Sequence, residues 1–345
     1  MIISRTPYRI SFFGGGTDYP AWSRRHGGRV LSTTIDKYCY VTARYLPPFF
    51  NVRHRIVWSH IETVQSIGEI LHPAVREGLA MLGYTDATGV EIHHQGDLPA
   101  RTGVGSSSSF AVGLILALKA LRGEAIGRHD LALAAIDLEQ NRLRDNVGSQ
   151  DQVAAAHGGL NVIDFDTDGT IRVTPVAADP ARVRALEERM MMFYTGLSRM
   201  GSEVAADLVA NIGAREAQLH RMRALVDQAT KVLHGGDLDD FGHLLDETWQ
   251  LKRQLSALVS NDGIDALYAR ARAAGALGGK LLGAGTAGFM LFYVPPGRRE
   301  AVQDALRDLL HVPVRLDTEG ATLLPTTWSQ VRASARAYAD LLPTG

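Results

Sequence analysis

Cysteine is almost missing from this sequence: Cys39 is the single one among 345 residues. No intrachain disulfide can form, and a reducing compartment is the expected home. An excess of either charge is missing too. With 36 Lys+Arg against 37 Asp+Glu, the formal net charge is −1, which removes any global electrostatic case for nucleic acid or an anionic membrane as partner. Long hydrophobic runs are also absent. The longest apolar helix candidate, 110–121, is too short to span a bilayer and carries Lys119. The opening stretch MIISRTPYRISFFGGG lacks signal-peptide character, because Arg5 and Arg9 interrupt its apolar run. Internal repeats and low-complexity linkers are lacking as well. The expectation is a cytoplasmic protein without membrane or nucleic-acid partners.

What is present is ordinary globular material, 46% hydrophobic and 21% charged, with 35 Gly and 13 Pro. The length exceeds what one small core needs, so two lobes are expected. Period-two patterning predicts strands over 2–13, 29–35, 38–46 and 53–58. A helix over 72–82 and a strand over 89–95 follow, then a Gly/Ser loop at 103–109 feeding an apolar helix to 121. Helices at 129–143 and 149–156 precede a hairpin at 159–175 that turns near Asp166 to Gly169. The second half opens with a strand at 190–194. Amphipathic helices cover 201–234 and 237–258, and a helix at 263–274 leads to the Gly-rich stretch 278–288. A strand at 289–294, a helix at 298–310 and a strand at 312–316 complete the pattern. The end, 317–345, is weakly patterned. Strands and helices in mixed runs favour α+β over a doubly wound sheet.

Three glycine-rich segments carry the chemistry. The most informative is Leu98-Pro99-Ala100-Arg101-Thr102-Gly103-Val104-Gly105-Ser106-Ser107-Ser108-Ser109, which opens a helix. Unpaired amides at the positive end of a helix dipole form a phosphate cradle, glycines allow close approach, and hydroxyls bond phosphate oxygens or Mg²⁺. A plain loop with a serine cap is the alternative, although four serines exceed what capping asks. No Gly-Lys-Ser/Thr stands at Walker A spacing. The third segment in chain order, Gly283-Ala284-Gly285-Thr286-Ala287-Gly288, has the form GxGxxG. A strand-like run follows it where a dinucleotide fingerprint needs a helix, so a Rossmann oxidoreductase fails on context and a tight turn stays open. The N-terminal segment joins Arg9 to Gly14, Gly15, Gly16, Thr17 and Asp18. There a cation and a carboxylate can share a pocket wall, Asp18 accepting from sugar hydroxyls and Arg9 neutralising a phosphoryl group. Alone, this segment also reads as a surface strand and turn.

Together and in this order, the three segments resemble the motifs of the GHMP kinase superfamily, over nearly the whole chain. Within it, Arg5-Thr6-Pro7-Tyr8-Arg9-Ile10-Ser11-Phe12-Phe13-Gly14-Gly15-Gly16-Thr17-Asp18-Tyr19 is most similar to the D-glycero-D-manno-heptose 7-phosphate kinases. Galactokinases have Gly-Glu-His-Thr-Asp here, and Thr286-Ala287 replaces the glycines usual in relatives. The resemblance implies a two-lobed α+β fold with a ribosomal-S5-like N-terminal lobe (1–188) and a ferredoxin-like C-terminal lobe (189–345). It also implies that Glu139 is the magnesium-binding glutamate and Asp151 the catalytic base; without it, both read as solvated or helix-end carboxylates.

On this basis Gly103, Val104, Gly105, Ser106, Ser107, Ser108 and Ser109, with Gly283 and Gly285, are expected to hold ATP. Ser107 and Glu139 complete a Mg²⁺ site, and Asp151 with Arg9 does the chemistry. Gly15, Gly16, Thr17 and Asp18 hold the sugar. Arg199 (by resemblance) and Lys280 are the candidate cations for a substrate phosphate, a solvated lysine being the alternative for Lys280. The implied role is supply of nucleotide-activated heptose for surface polysaccharide. Rival readings are another sugar 1-kinase, acting on fucose, galactose or an N-acetylhexosamine, and a non-catalytic ATP and sugar sensor. His93-His94 point to opposite strand faces and read as surface residues. Met190-Met191-Met192 reads as core strand, and the helices over 201–258 as lobe scaffolding and a candidate homodimer face.

Overall fold

Two long strands and one apolar helix form the frame that carries the site. The computed structural model describes residues 1–196 and 201–325. Strand β1 (Ile2–Phe13), helix α1 (Pro20–His26) and strand β2 (Gly28–Tyr45) come first, and β1 pairs antiparallel with β2. The stretch predicted as two strands, 29–35 and 38–46, is this single β2. Strands β3 (His54–Val57) and β4 (Ile61–Val64), helix α2 (Pro73–Met81) and strand β5 (Val90–Gly96) extend the sheet, with β5 on β2 and β3 parallel to β5.

Helix α3 (Ser106–Leu121) is apolar almost all round and lies on β1 and β2, as a buried central helix must. Gly113 sets the close approach: a Cβ there would come within 2.8 Å of Thr6 Oγ1. Ser4 Oγ donates to the Gly113 carbonyl at 2.8 Å. Helix α4 (Arg128–Ile136) runs into a π-helical stretch, Asp137–Arg142, and α5 (Gln150–His157) follows. The predicted helix at 129–143 thus changes hand-hold in its last third, widening where Glu139 sits. Strands β6 (Asn161–Phe165) and β7 (Ile171–Pro175) form the expected hairpin, with β6 paired to the start of β2.

Helix α6 (Pro180–Arg189) leads into β8 (Met190–Tyr194), then α7 (Gly201–Asn211), α8 (Glu216–His234), α9 (Asp239–Leu255) and α10 (Asp262–Ala273). A 3-10 turn at Ile212–Arg215 breaks the helix predicted over 201–234. Strand β9 (Gly278–Leu281), which the glycine content hid, pairs with β10 (Phe289–Tyr293). Helix α11 (Arg299–Ala305) and strand β11 (Leu310–Val312) complete the second sheet, ordered β11-β8-β10-β9 and antiparallel throughout.

The lobes share a core: Phe12 and Phe13 of β1 meet Phe241 of α9 edge to face, with centroids 5.3 and 5.0 Å apart. The predicted strand at 312–316 does not exist as one piece. After β11 the chain crosses back, and β12 (Leu316–Asp317) and β13 (Thr322–Leu323) pair with β2 and β1 of the first sheet. The last described residues therefore belong to the N-terminal sheet, inside the range assigned to the second lobe. No helix among the described residues is long and apolar enough to cross a membrane.

Candidate active site

The loop before α3 leaves the helix start without a side-chain cap, and Gly105, at φ 76°, turns the chain into the helix. Of the four serines only Ser106 and Ser107 reach the surface. Ser108 Oγ donates to Glu139 Oε2 at 2.6 Å, and Ser109 Oγ donates to the Pro7 carbonyl at 2.9 Å. This corrects the expectation that all four hydroxyls hold phosphate: those of Ser108 and Ser109 fasten the helix to its surroundings. Val104 is buried, and its carbonyl accepts from the Arg9 amide at 3.0 Å.

Arg9 and Asp151 form the centre. Arg9 Nε and Nη2 donate to the two oxygens of Asp151 at 2.7 and 2.6 Å, while Nη1 donates to the Gly103 carbonyl at 2.6 Å. Such a fork fixes carboxylate orientation as well as position. The Arg9 side chain is 5% exposed and that of Asp151 24%, so the carboxylate is the solvent-facing member. A Cβ on Gly105 would lie 3.4 Å from Asp151 Oδ2; the carboxylate therefore flanks the phosphate loop. Its place in the first turn of α5 suits a negative charge.

Glu139 projects from the π-helical stretch, a local widening often found at functional sites. Gln152 Nε2 and Ser108 Oγ both donate to its Oε2 at 2.6 Å. Burial raises its pKa to about 7, with the hydroxyls of Ser108 and Ser107 and the Gln152 amide pulling the other way. Among the described residues no group of three or more His, Cys, Asp or Glu could by itself hold a metal. The donors present, one carboxylate and the Ser107 hydroxyl, are hard oxygens. They fit a magnesium ion that takes its remaining ligands from phosphate and water.

In the first glycine segment, Gly14 has φ 78° and a Cβ there would meet the Arg29 carbonyl at 1.9 Å. Thr17 and Asp18 are committed to the protein, which corrects their assignment to the sugar. Thr17 Oγ1 donates to the Gly14 carbonyl at 2.7 Å and accepts from the Arg29 amide at 3.0 Å. Asp18 Oδ1 accepts from the Gly16 amide at 3.0 Å and from Gln150 Nε2 at 2.9 Å, while Oδ2 accepts from the Gln150 amide at 3.2 Å. Buried, and near Asp151, its carboxyl titrates above the ordinary range. Asp18 thereby caps the helix that carries Asp151. Gly15 is half-buried and Gly16 buried beside this turn.

The third segment packs on the second. A Cβ on Gly103 would come 2.3 Å from the Leu282 carbonyl oxygen, and one on Gly288 2.2 Å from that of Thr102. Gly283 and Gly285 have positive φ, 71° and 145°. Lys280 is not a free cation: it is 3% exposed, and its Nζ donates to the Ser11 and Phe12 carbonyls at 2.8 and 3.0 Å. Its assignment to a substrate phosphate is corrected accordingly. Arg199 lies outside the described residues. The sequence reading missed Gln150, Gln152 and Lys252. The two glutamines flank Asp151, and that adjacency was the only signal they gave.

The GHMP kinase N-terminal domain model matches residues 69–159, which hold the phosphate loop, Glu139 and Asp151. The C-terminal model matches residues 224–312, which hold the third glycine segment. The chain belongs to the GHMP kinases. It is thus an ATP-dependent phosphotransferase. Among the relatives of this GHMP kinase, the D-glycero-alpha-D-manno-heptose 7-phosphate kinase of Campylobacter jejuni is 29% identical over 89% of this chain and 93% of its own. A bifunctional fucokinase/GDP-fucose pyrophosphorylase of Arabidopsis thaliana is 26% identical over 83% of this chain and 29% of its own. In fold, the kinase resembles the crystal structure of a D-glycero-D-manno-heptose 1-phosphate kinase from Bacteroides thetaiotaomicron. That likeness has a TM-score of 0.77 at 24% identity and covers 94% of this chain and 99% of the other. It also resembles a galactokinase of Lactococcus lactis complexed with galactose, with a TM-score of 0.71 at 19% identity, covering 94% and 95%.

Proposed function

We propose that this kinase transfers the γ-phosphoryl group of ATP to the anomeric C1 hydroxyl of D-glycero-D-manno-heptose 7-phosphate, giving the 1,7-bisphosphate. The observation that carries the reading is the Arg9–Asp151 fork beside Gly105, a partly exposed carboxylate held at the edge of a helix-start phosphate cradle. Phosphoryl transfer asks for positioning and charge neutralisation more than for covalent chemistry. Asp151 accepts the proton of the C1 hydroxyl as its oxygen attacks the γ-phosphorus. The bond from the γ-phosphorus to the β–γ bridging oxygen breaks, and ADP leaves. Arg9 keeps Asp151 aimed and balances charge on the transferring group. The amides after Gly105, with the Ser106 and Ser107 hydroxyls, cradle the phosphates. Ser107 and Glu139 are the proposed protein ligands of Mg²⁺, which when bound neutralises phosphate charge.

The choice of sugar rests on the Arg5 to Tyr19 segment and on the 29% identity to the heptose kinase over most of both chains. The fucokinase relative favours a second reading, an unphosphorylated sugar as acceptor of the same transfer. The proposed setting is a cytoplasmic enzyme whose partners are ATP and the sugar phosphate, assembled as a homodimer and feeding nucleotide-activated heptose to surface polysaccharide. A coupled ADP-release assay with ATP and Mg²⁺ across sugars and sugar phosphates tests it. The heptose 7-phosphate should give the highest kcat/KM, and preference for fucose or galactose would reject it.

A further inference from the structure

Two lysines lie where lysines seldom do. Lys252 of α9 and Lys280 of β9 are 8% and 3% exposed, and neither has a carboxylate partner among the described residues. Lys252 Nζ donates to the Leu281 carbonyl at 2.8 Å and to that of Gly283. Lys280 Nζ donates to the carbonyls of Ser11 and Phe12, directly before the Gly14 turn. Burying an amino group is costly, and a fold keeps one when its donors do something apolar atoms cannot. Burial, with the charges of Lys280 and Arg9, puts Lys252 well below the usual lysine range. Burial and Arg9 bring Lys280 to about 7 against the opposing pull of Asp18. An amine that has lost its charge still has two N–H donors, so both braces persist without it.

The four carbonyls they grip are not scattered. Leu281 and Gly283 bracket the start of the third glycine segment, whose Gly283 touches Gly103 of the phosphate loop main chain to main chain. Ser11 and Phe12 are two of the four strand residues between Arg9 and the first glycine turn. We propose that Lys252 and Lys280 are positioning residues of the phosphoryl-transfer site: Lys252 sets the third glycine loop against the nucleotide cradle, and Lys280 ties the end of β1, just before the first glycine turn, to β9 of the second sheet. This rests on the proposed reading, together with the places the resemblance implies for Gly283 and Gly285 at ATP and for Gly15 and Gly16 at the sugar.

Methionine matches the length of lysine without its donors, so Lys252→Met and Lys280→Met test the pair. Lys252→Met should raise the KM for ATP about tenfold or more and leave the sugar KM within about twofold. Lys280→Met should instead lower kcat about tenfold or more and raise the sugar KM, with ATP binding nearly unchanged. Lys252→Arg and Lys280→Arg, which keep two donors, should recover part of each loss. Thermal unfolding of every variant accompanies the kinetics. Wild-type constants in both Met variants would overturn the proposal. So would losses that only track the unfolded fraction, or failure of both Met variants to fold, since either assigns the lysines to stability alone. The wild-type sugar panel decides the proposed function separately. Were the wild type silent towards every sugar, binding of a non-hydrolysable ATP analogue to Lys252→Met against wild type would still test the brace.

Discussion

A Cβ on Gly283 would sit 2.3 Å from the Cα of Gly103. The second and third glycine segments, far apart in sequence, touch without side chains between them, so neither loop can move alone. Gly283→Ala adds a methyl group at that contact and forces alanine into φ 71°. The left-handed conformation by itself costs about 1–2 kcal/mol, and the collision adds to it. Unfolding in urea should show at least that loss, and the KM for ATP should rise. An alanine variant with wild-type stability would mean that the loops do not pack this way.

Asp151→Asn keeps the size of the side chain and removes the proton acceptor. Turnover should fall by about 10² to 10⁴, the span of general-base contributions. ATP-analogue binding should stay close to wild type, because Asp151 only flanks the cradle. Single-turnover kinetics with a calorimetric titration separates the two effects. Unchanged turnover would remove Asp151 from the chemistry. Arg9→Lys supplies the companion test: it retains charge and loses the fork, so kcat should drop.

Lys280 predicts a pH dependence with a definite sign. Its folded-state value is about 7 against 10.5 for an ordinary lysine. Between those values the unfolded chain holds a proton that the native protein has released, so stability rises with pH across the window and falls as pH drops towards 7. Lys280→Met has no such group. The unfolding free energy of wild type minus that of Lys280→Met should therefore increase from pH 7 to pH 10, and the weaker depression of Lys252 in a variant without the Lys280 charge adds with the same sign. Urea titrations of both proteins at several pH values measure it. A flat or declining difference would contradict the buried amine.

Asp151 sits on a helix clamped at both ends. Asp18 caps the start of α5, and beyond its end the returning chain closes over Gly158: a Cβ there would meet the Glu319 carbonyl carbon at 2.1 Å. The Ala321 amide donates to the Ala155 carbonyl at 2.9 Å, and Arg5 Nη2 pairs with Glu319 at 2.6 Å. Gly158→Ala should displace this crossing strap and destabilise the fold. Arg5→Ala removes a half-exposed ion pair and the guanidinium that lies 4.7 Å over the Tyr38 ring, and should cost less than about 2 kcal/mol. Chemical denaturation of the two variants side by side tests the ranking.

Much of this was legible in the sequence where a period repeats long enough to be seen. β1, α3, the β6–β7 hairpin and β10 follow their patterns closely. Arg9 drew attention as a cation on a strand before a glycine turn. Glu139 and Asp151 did not, because a carboxylate on a helix has no distinguishing pattern, and only the family resemblance singled them out. β12 and β13 span two residues each, too few for any periodicity, and their partners lie at the opposite end of the chain. Lys252 stands in a helix read as amphipathic, where nothing in the pattern marks one lysine as buried. The serine run held a readable warning: at 3.6 residues per turn, four consecutive side chains point around the whole helix, so some had to face inward. Ser108 and Ser109 are those that do.

Thr286 is the one β-branched residue among the three non-glycine residues of positive φ in the described chain, at 63°. Its main chain is held on both sides, the amide donating to the Val259 carbonyl at 2.9 Å and the carbonyl accepting from Asn261 Nδ2 at 3.2 Å. The conformation is imposed by these neighbours and persists against the preference of threonine. Glycine would relieve the strain, yet it enlarges the freedom of the unfolded chain by about 0.4–1 kcal/mol and gives up the Oγ1 bond to the Gly285 carbonyl. Thr286→Gly should therefore leave stability nearly unchanged. Asparagine tolerates the left-handed region without that added freedom, so Thr286→Asn should stabilise by about 0.5–1 kcal/mol. The KM for ATP should hold in both, since the contacts that shape the loop belong to the main chain. Loss of more than about 1 kcal/mol in both variants would show that the threonine side chain, and not the backbone around it, holds the loop.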